Sequence, residues 1–283
     1  MKTMKPYYQL VLLVAIMFGL GSLPLLAQEE ESDAIRPPFE SAMLIDNQTT
    51  VVYSPKTLEF NIQHRFGTVE NGYDDLWGLW APSNIRLAMS YSPINKLLVG
   101  AGLTKFNKVL DLNAKYALLT QTRSGNIPVS VSYYANVGVN TMSKDNFDKG
   151  GDRLSYFHQL LISRKVNYWV SIQVAPSMTH FNFVPSESRQ NDHFAISGMG
   201  RVRVAPALAV VFNVDQAITS HPLDNPNPNL AFGIEMSTSG HSFQIFAGNF
   251  GSLVPQYNNV YNSNDFTAGE FLIGFNITRL WNL

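Results

Sequence analysis

The chain has 283 residues, a net charge of −1, 45% hydrophobic and 14% charged residues, and no cysteine. So small a charge gives no field for nucleic acid or an anionic surface, and the lack of cysteine excludes disulfides, thiolate catalysis, zinc–thiolate sites and a lipidated cysteine after a signal peptide. Few charges at a mean hydropathy of −0.04 suit a chain with one face in lipid and a polar face inside, so that the two average out.

Met1 to Ala27 read as a secretory signal. Lys2 and Lys5 form its charged start, Tyr7 to Leu26 its apolar stretch, and the polar run Gln28-Glu29-Glu30-Glu31 follows. Leu25 stands where a small residue is preferred, so an uncleaved helical anchor is the alternative. Cleavage is the favoured reading, because no second apolar stretch of spanning length follows. Residues 28–56 form an N-terminal arm that is acidic at first, passes Pro37-Pro38 and shows little alternation. It could lie in the periplasm, plug a lumen or bind a partner protein.

From residue 57 onward, period-2 runs alternate with turn signals. This predicts an all-β fold, a transmembrane antiparallel up-and-down β-barrel of about twelve strands, each roughly 9–11 residues long, over 57–283. The first two strands are Leu58–Arg65 and Asn84–Ser92. Lys96–Lys105 and Lys108–Leu119 follow. Pro128–Val139 has the cleanest alternation, with Val129, Val131, Tyr133, Ala135 and Val137 against Ser130, Ser132, Tyr134, Asn136 and Gly138. Then come Arg153–Ser163, Tyr168–Ser177, His193–Val204, Ala207–Ile218, Asn229–Ser237 and Ser242–Asn249. The last strand is Phe266–Arg279, close to a Trp281-Asn282-Leu283 end that looks like an outer-membrane assembly signal. Connections after the even strands are short. Those after the odd strands are long, except at Phe106-Asn107. That parity places both termini on the periplasmic side. Outward aromatics near strand ends, among them Phe60, Tyr91, Tyr116, Tyr156, Tyr168 and Phe194, would form interfacial girdles.

The stretches Phe39-Glu40-Ser41, Leu44-Ile45-Asp46-Asn47-Gln48-Thr49, Ile62-Gln63-His64-Arg65-Phe66-Gly67, Asn71-Gly72, Asp75-Leu76, Ala81-Pro82-Ser83-Asn84-Ile85-Arg86-Leu87 and Lys115-Tyr116 resemble an uncharacterised outer-membrane β-barrel family of Bacteroidota, known as a domain of unknown function. The specific motifs lie between Phe39 and Tyr116. Ala88 departs from the expected glycine, and Trp77 and Trp80 are larger than expected. The resemblance implies a barrel in the bacterial outer membrane, in contact with its lipid, and no activity.

Strand parity turns Glu59, Arg65, Arg86, Asp111, Lys115, Arg201, Arg203, Asp215, Glu235 and Glu270 inward. These are candidates for lining a pore that selects small solutes by charge. The matched signs equally suit an ion-pair network filling a narrow lumen, which is the favoured reading. The apolar excursion around Trp77 and Trp80, next to His64, marks the barrel mouth as a candidate surface for a ligand or partner. The loop Lys144 to Asp152 faintly resembles a calcium loop but lacks the distal glutamate. His158, on the lipid face, has no serine in lipase register. No regular metal-ligand spacing, nucleophile elbow or nucleotide fingerprint is present, so no cofactor, metal or enzymatic activity is expected. Two functions remain open: a passive channel or transporter for small solutes, and a scaffold with a filled, non-conducting lumen.

Overall fold

The computed structural model describes residues 33–283; the expected signal, 1–27, lies outside them. The arm carries a minute hairpin, β1 (Met43–Leu44) and β2 (Asn47–Gln48). Twelve strands then follow: β3 (Thr57–Thr68), β4 (Asn84–Tyr91), β5 (Leu97–Thr104), β6 (Val109–Leu119), β7 (Ser130–Asn140), β8 (Leu154–Lys165), β9 (Val170–Phe181), β10 (Asp192–Ala205), β11 (Leu208–Ala217), β12 (Asn229–Ser237), β13 (His241–Gly248) and β14 (Leu272–Asn282). Each pairs antiparallel with its chain neighbours, and β14 pairs with β3 from Asn282↔Thr57 to Leu272↔Thr68. The barrel is therefore closed, as expected. Closure leaves no edge whose backbone groups would go unpaired in lipid, at several kcal/mol each.

The period-2 pattern decides which way each side chain points. Ser130, Ser132, Tyr134 and Asn136 of β7 are buried inside, and Val131, Tyr133 and Ala135 between them face out. Around the barrel the outward positions hold large bare apolar groups, such as Leu103 (59% exposed) and Phe232 (56%). A continuous belt of this kind is stable against hydrocarbon and not against water. No helix among the described residues is long and apolar enough to cross a membrane.

One rim carries the short connections 92–96, 120–129, 166–169, 206–207 and 238–240. The other carries 69–83, 105–108, 141–153, 182–191, 218–228 and 249–271. Most strand ends fall within about two residues of their expected positions, on either side, while β3 ends at Thr68 and β9 at Phe181, beyond the expected Arg65 and Ser177. The last strand needs a larger correction. Phe266–Ala268 is a 3-10 turn closed by Gly269 at φ +87°, so β14 starts only at Leu272. Alternating residues in the sequence continued through a turn whose left-handed glycine breaks the extension. The long connection before it also holds one helix, α1 (Pro255–Tyr261).

Residues 39–53 of the arm run inside the barrel, bonded to inward side chains of the wall. Their entry is fixed at the short-turn rim, where Ile35 N–H donates to Gln121 O (3.0 Å) and Arg123 N–H to Asp33 O (2.9 Å). Their exit is at Lys56, whose N–H donates to Ser92 O (2.8 Å) on the same rim. The arm is thus a re-entrant loop with its tip, Ile45-Asp46, deep in the lumen.

Candidate functional site: the filled lumen

The wall offers the arm two unlike surfaces. On the β10–β13 side, inward Met199, Ala209, Val211, Ala231 and Phe246 form an apolar patch with Phe250. Phe39, Leu44, Ile45 and Val51 of the arm pack against it. Elsewhere, apart from a smaller apolar cluster of Tyr134, Phe157, Leu161 and Ala175 on β7–β9, the inward side chains are mostly amides, hydroxyls and ions, and they satisfy the arm's backbone. Lys115 Nζ donates to Ala42 O (2.8 Å) and Thr49 O (2.9 Å). Asn276 Nδ2 donates to Ile45 O (2.6 Å), and Gln173 Nε2 to Gln48 O (2.7 Å). Ile45 N–H donates to Gln244 Oε1 (2.9 Å). Such bonds are required, because a two-residue hairpin leaves most of its buried backbone groups without internal partners.

The charged candidates sort into local sets. Arg86 forks onto Asp111, Nε to Oδ2 at 2.8 Å and Nη2 to Oδ1 at 2.7 Å, and donates to Gln63 Oε1 (2.9 Å). Asn136 Nδ2 donates to the same Asp111 (2.9 Å). Gly102 makes room for this pair: a Cβ there would lie 2.3 Å from the Arg86 guanidinium. Arg201 Nε donates to Glu235 Oε1 (2.6 Å), and Arg203 Nη2 to Glu40 of the arm (2.8 Å). Arg65 lies 3.6 Å from Asp46 of the arm tip and stacks on Phe246 at 4.5 Å. Asp215 takes Asn47 Nδ2 at 2.6 Å, and the Tyr53 hydroxyl donates to Glu59. Burial alone pushes the Glu40 carboxyl up, but Arg36, Arg201 and Arg203 outweigh it and hold it below the usual carboxylate range. Nine of the ten charged candidates are thus on the inner wall, each with fixed polar partners.

Glu270 is the exception. It precedes β14, in the long connection, and its carboxylate accepts the Asp265 N–H at 2.6 Å. His64 also differs from its expected place. It faces out of the barrel, stacked on Phe275 at 5.0 Å, rather than toward the mouth. Trp77 (50% exposed) and Trp80 (74%) stand on the long-loop rim outside the lumen, in a turn where Leu76 and Trp77 both take φ +53°. The Lys144–Asp152 loop is two 3-10 turns, with Asp152 accepting from Lys149 N–H. His158 pairs with the Tyr133 hydroxyl (2.7 Å) on the outer face.

The sequence reading missed α1. Its Gln256 Nε2 donates to Asn136 Oδ1 (2.7 Å) in the wall, and its Asn258 Nδ2 to Asp46 Oδ2 (2.5 Å) at the arm tip. Gln256, Asn258, Asn259 and Val260 are all buried. The lumen is therefore filled from both ends, and the two fillings meet at the Asn258–Asp46 bond. A partial signal for the arm did exist in the turn-forming residues Asp46-Asn47, although the turn itself is Ile45-Asp46, with Ile45 at φ +56°, and Asn47 opens β2.

A closed, twelve-stranded barrel with an apolar belt and a polar interior defines a membrane-embedded β-barrel protein. The chain belongs to the family described as the membrane-bound beta barrel domain DUF5777, whose model matches residues 39–281. The match begins in the arm, so the lumenal hairpin falls within the family domain. Among solved structures, the COG4313 outer membrane channel from Pseudomonas putida F1 is similar, at 12% identity and a TM-score of 0.51. The match covers 82% of this chain and 97% of that one. The KdgM porin is similar at 8% identity and a TM-score of 0.47, over 80% and 99% of the two chains. At such identities the likeness concerns the fold. No curated protein matches the chain.

Proposed function

We propose that the protein is an outer-membrane channel for small solutes whose lumen is closed at rest by its own segment 33–56. In this reading the long-loop rim faces outward in a Bacteroidota outer membrane, and the arm enters from the periplasm. The observation that carries it is how the arm is held. Its carbonyls and N–H groups are met by Lys115, Asn276, Gln173 and Gln244, groups that water can equally satisfy once the arm leaves. The wall left behind would be polar over most of its circumference, as a conducting lumen requires. The paired ions Arg86–Asp111 and Arg201–Glu235 would then line the path as fixed charges of both signs.

Filling from both ends favours a second reading, a permanently filled barrel serving as a scaffold. Single-channel recording in planar bilayers separates the two. The full-length protein is expected to open rarely, and a chain without residues 28–56 to conduct steadily. Silence of the shortened chain, with its barrel folded by heat-modified electrophoretic mobility, would reject the channel in favour of the scaffold.

A further inference from the structure

The long-loop mouth holds a second site that owes nothing to the lumen. The loops 105–108, 141–153 and 182–191 and the outer side of α1 surround a cavity of about 530 Å³. Its floor is aromatic and rigid. Tyr257 and Tyr261, one turn apart on α1, stack with centroids 5.8 Å apart, and Phe181 meets their rings edge-on at 5.3 and 5.4 Å. Phe183 (53% exposed) stands on one wall, and on another Arg153 lies flat over the Phe147 ring at 4.8 Å. Polar groups interleave with the rings: Asn140, Asn146, Asp152 and Ser252 all border the space. Asp152 accepts one bond, from Lys149 N–H to Oδ2.

We propose that this cavity binds a neutral saccharide. The exposed Phe183 ring suits the C–H face of a pyranose, and Asn140, Asn146, Asp152 and Arg153, which border the same cavity, suit its hydroxyls. The volume lies in the range of small-ligand sites. A purely apolar ligand would dry the amides and the Asp152 carboxylate without pairing them, which is costly. Of charged groups only Asp152 and Arg153 border the cavity, and Arg189, which covers the Tyr261 ring, is paired with Asp224, so the local charges cancel and select neither sign. The floor is set by ring-on-ring packing before any ligand arrives, so little ordering cost falls on binding. Because α1 carries Tyr257 and Tyr261 on one side and Gln256 on the side that bonds the wall, an occupied site rests directly on the helix that caps the lumen.

The test is calorimetric titration of the refolded full-length protein in detergent with maltotriose, cellotriose and triacetylchitotriose. At least one is expected to bind. Phe183→Ala, at an exposed position that leaves the fold intact, is expected to weaken it about tenfold. Trp77→Ala, an equally exposed aromatic on a different loop, should leave it unchanged. Retained heat-modifiable mobility shows that each variant is folded. Absence of binding for all three sugars at about 10 mM would overturn the proposal. So would affinity undiminished in both Phe183→Ala and Arg153→Ala.

Discussion

The lumen is closed at its two ends by segments that are held in different ways. At the short-turn end the arm contributes mainly backbone, which wall side chains satisfy, together with a few side chains such as Glu40, Asn47 and Tyr53. At the long-loop end α1 contributes side chains of its own, Gln256 and Asn258, and packs its tyrosines on Phe181. The helix satisfies its own backbone in part and is tied into β13 and β14 at both ends of residues 249–271. The arm has two strands of two residues each and little structure apart from the wall. Taking it out of the lumen costs its contacts but regains the conformational freedom of its residues, about 1–2 kcal/mol each. In the proposed channel the arm is therefore the part expected to leave, and α1 the part expected only to shift.

Removing residues 28–56 carries the largest expected effect, a change from rare openings to a steady current. Lys115→Met comes next. It deletes charge-assisted bonds to two arm carbonyls, each worth about 1.5–3 kcal/mol, so the open probability should rise about a hundredfold in single-channel records. Asn258→Ala removes the one described hydrogen bond between the two closing segments. It removes one bond to a charged group where Lys115→Met removes two, so it should raise the open probability only about tenfold, the effect of about 1.5 kcal/mol. If Asn258→Ala matched Lys115→Met, the helix would hold the lumen shut as firmly as the arm does, and the comparison would fail.

Acidification should have the smallest effect. Glu40 titrates lower when the arm is docked than when it is free. Its contribution is thus present above the ordinary carboxylate pKa and is lost as pH falls through the docked value. Openings should become more frequent on acidification, and Glu40→Gln should remove that dependence. An unchanged pH response in Glu40→Gln would assign it to another group.

The barrel was legible in the sequence because burial of alternate side chains has the same period as the strand. Strand parity also put Glu59, Arg86, Asp111 and Glu235 on the inner wall, where they stand. Parity failed at Glu270, where alternation runs on through a turn that Gly269 closes. The lumenal contacts were not legible, because nothing in period-2 patterning says what meets an inward side chain. Lys115 reads as a pore charge, yet its partners are the carbonyls of Ala42 and Thr49, which have no sequence signature. The seven residues of α1 are too short and too polar for a helical period to stand out. The place of Trp77 and Trp80 at the mouth was legible, but their direction was not, because size and hydropathy do not encode it; the left-handed turn at Leu76 and Trp77 places them outside the lumen.

The central claim is that the arm must leave the lumen for current to pass, and a disulfide across the arm and the wall tests it most directly. The hydroxyls of Thr50 on the arm and Ser163 on β8 approach to 2.5 Å, which places the two Cβ atoms within reach of a bridge. The chain has no other cysteine to interfere. In the Thr50→Cys, Ser163→Cys double variant, the account predicts no openings when oxidised and a return of openings on adding reductant to the same bilayer. Openings of equal frequency in the fully oxidised and the reduced protein would contradict it.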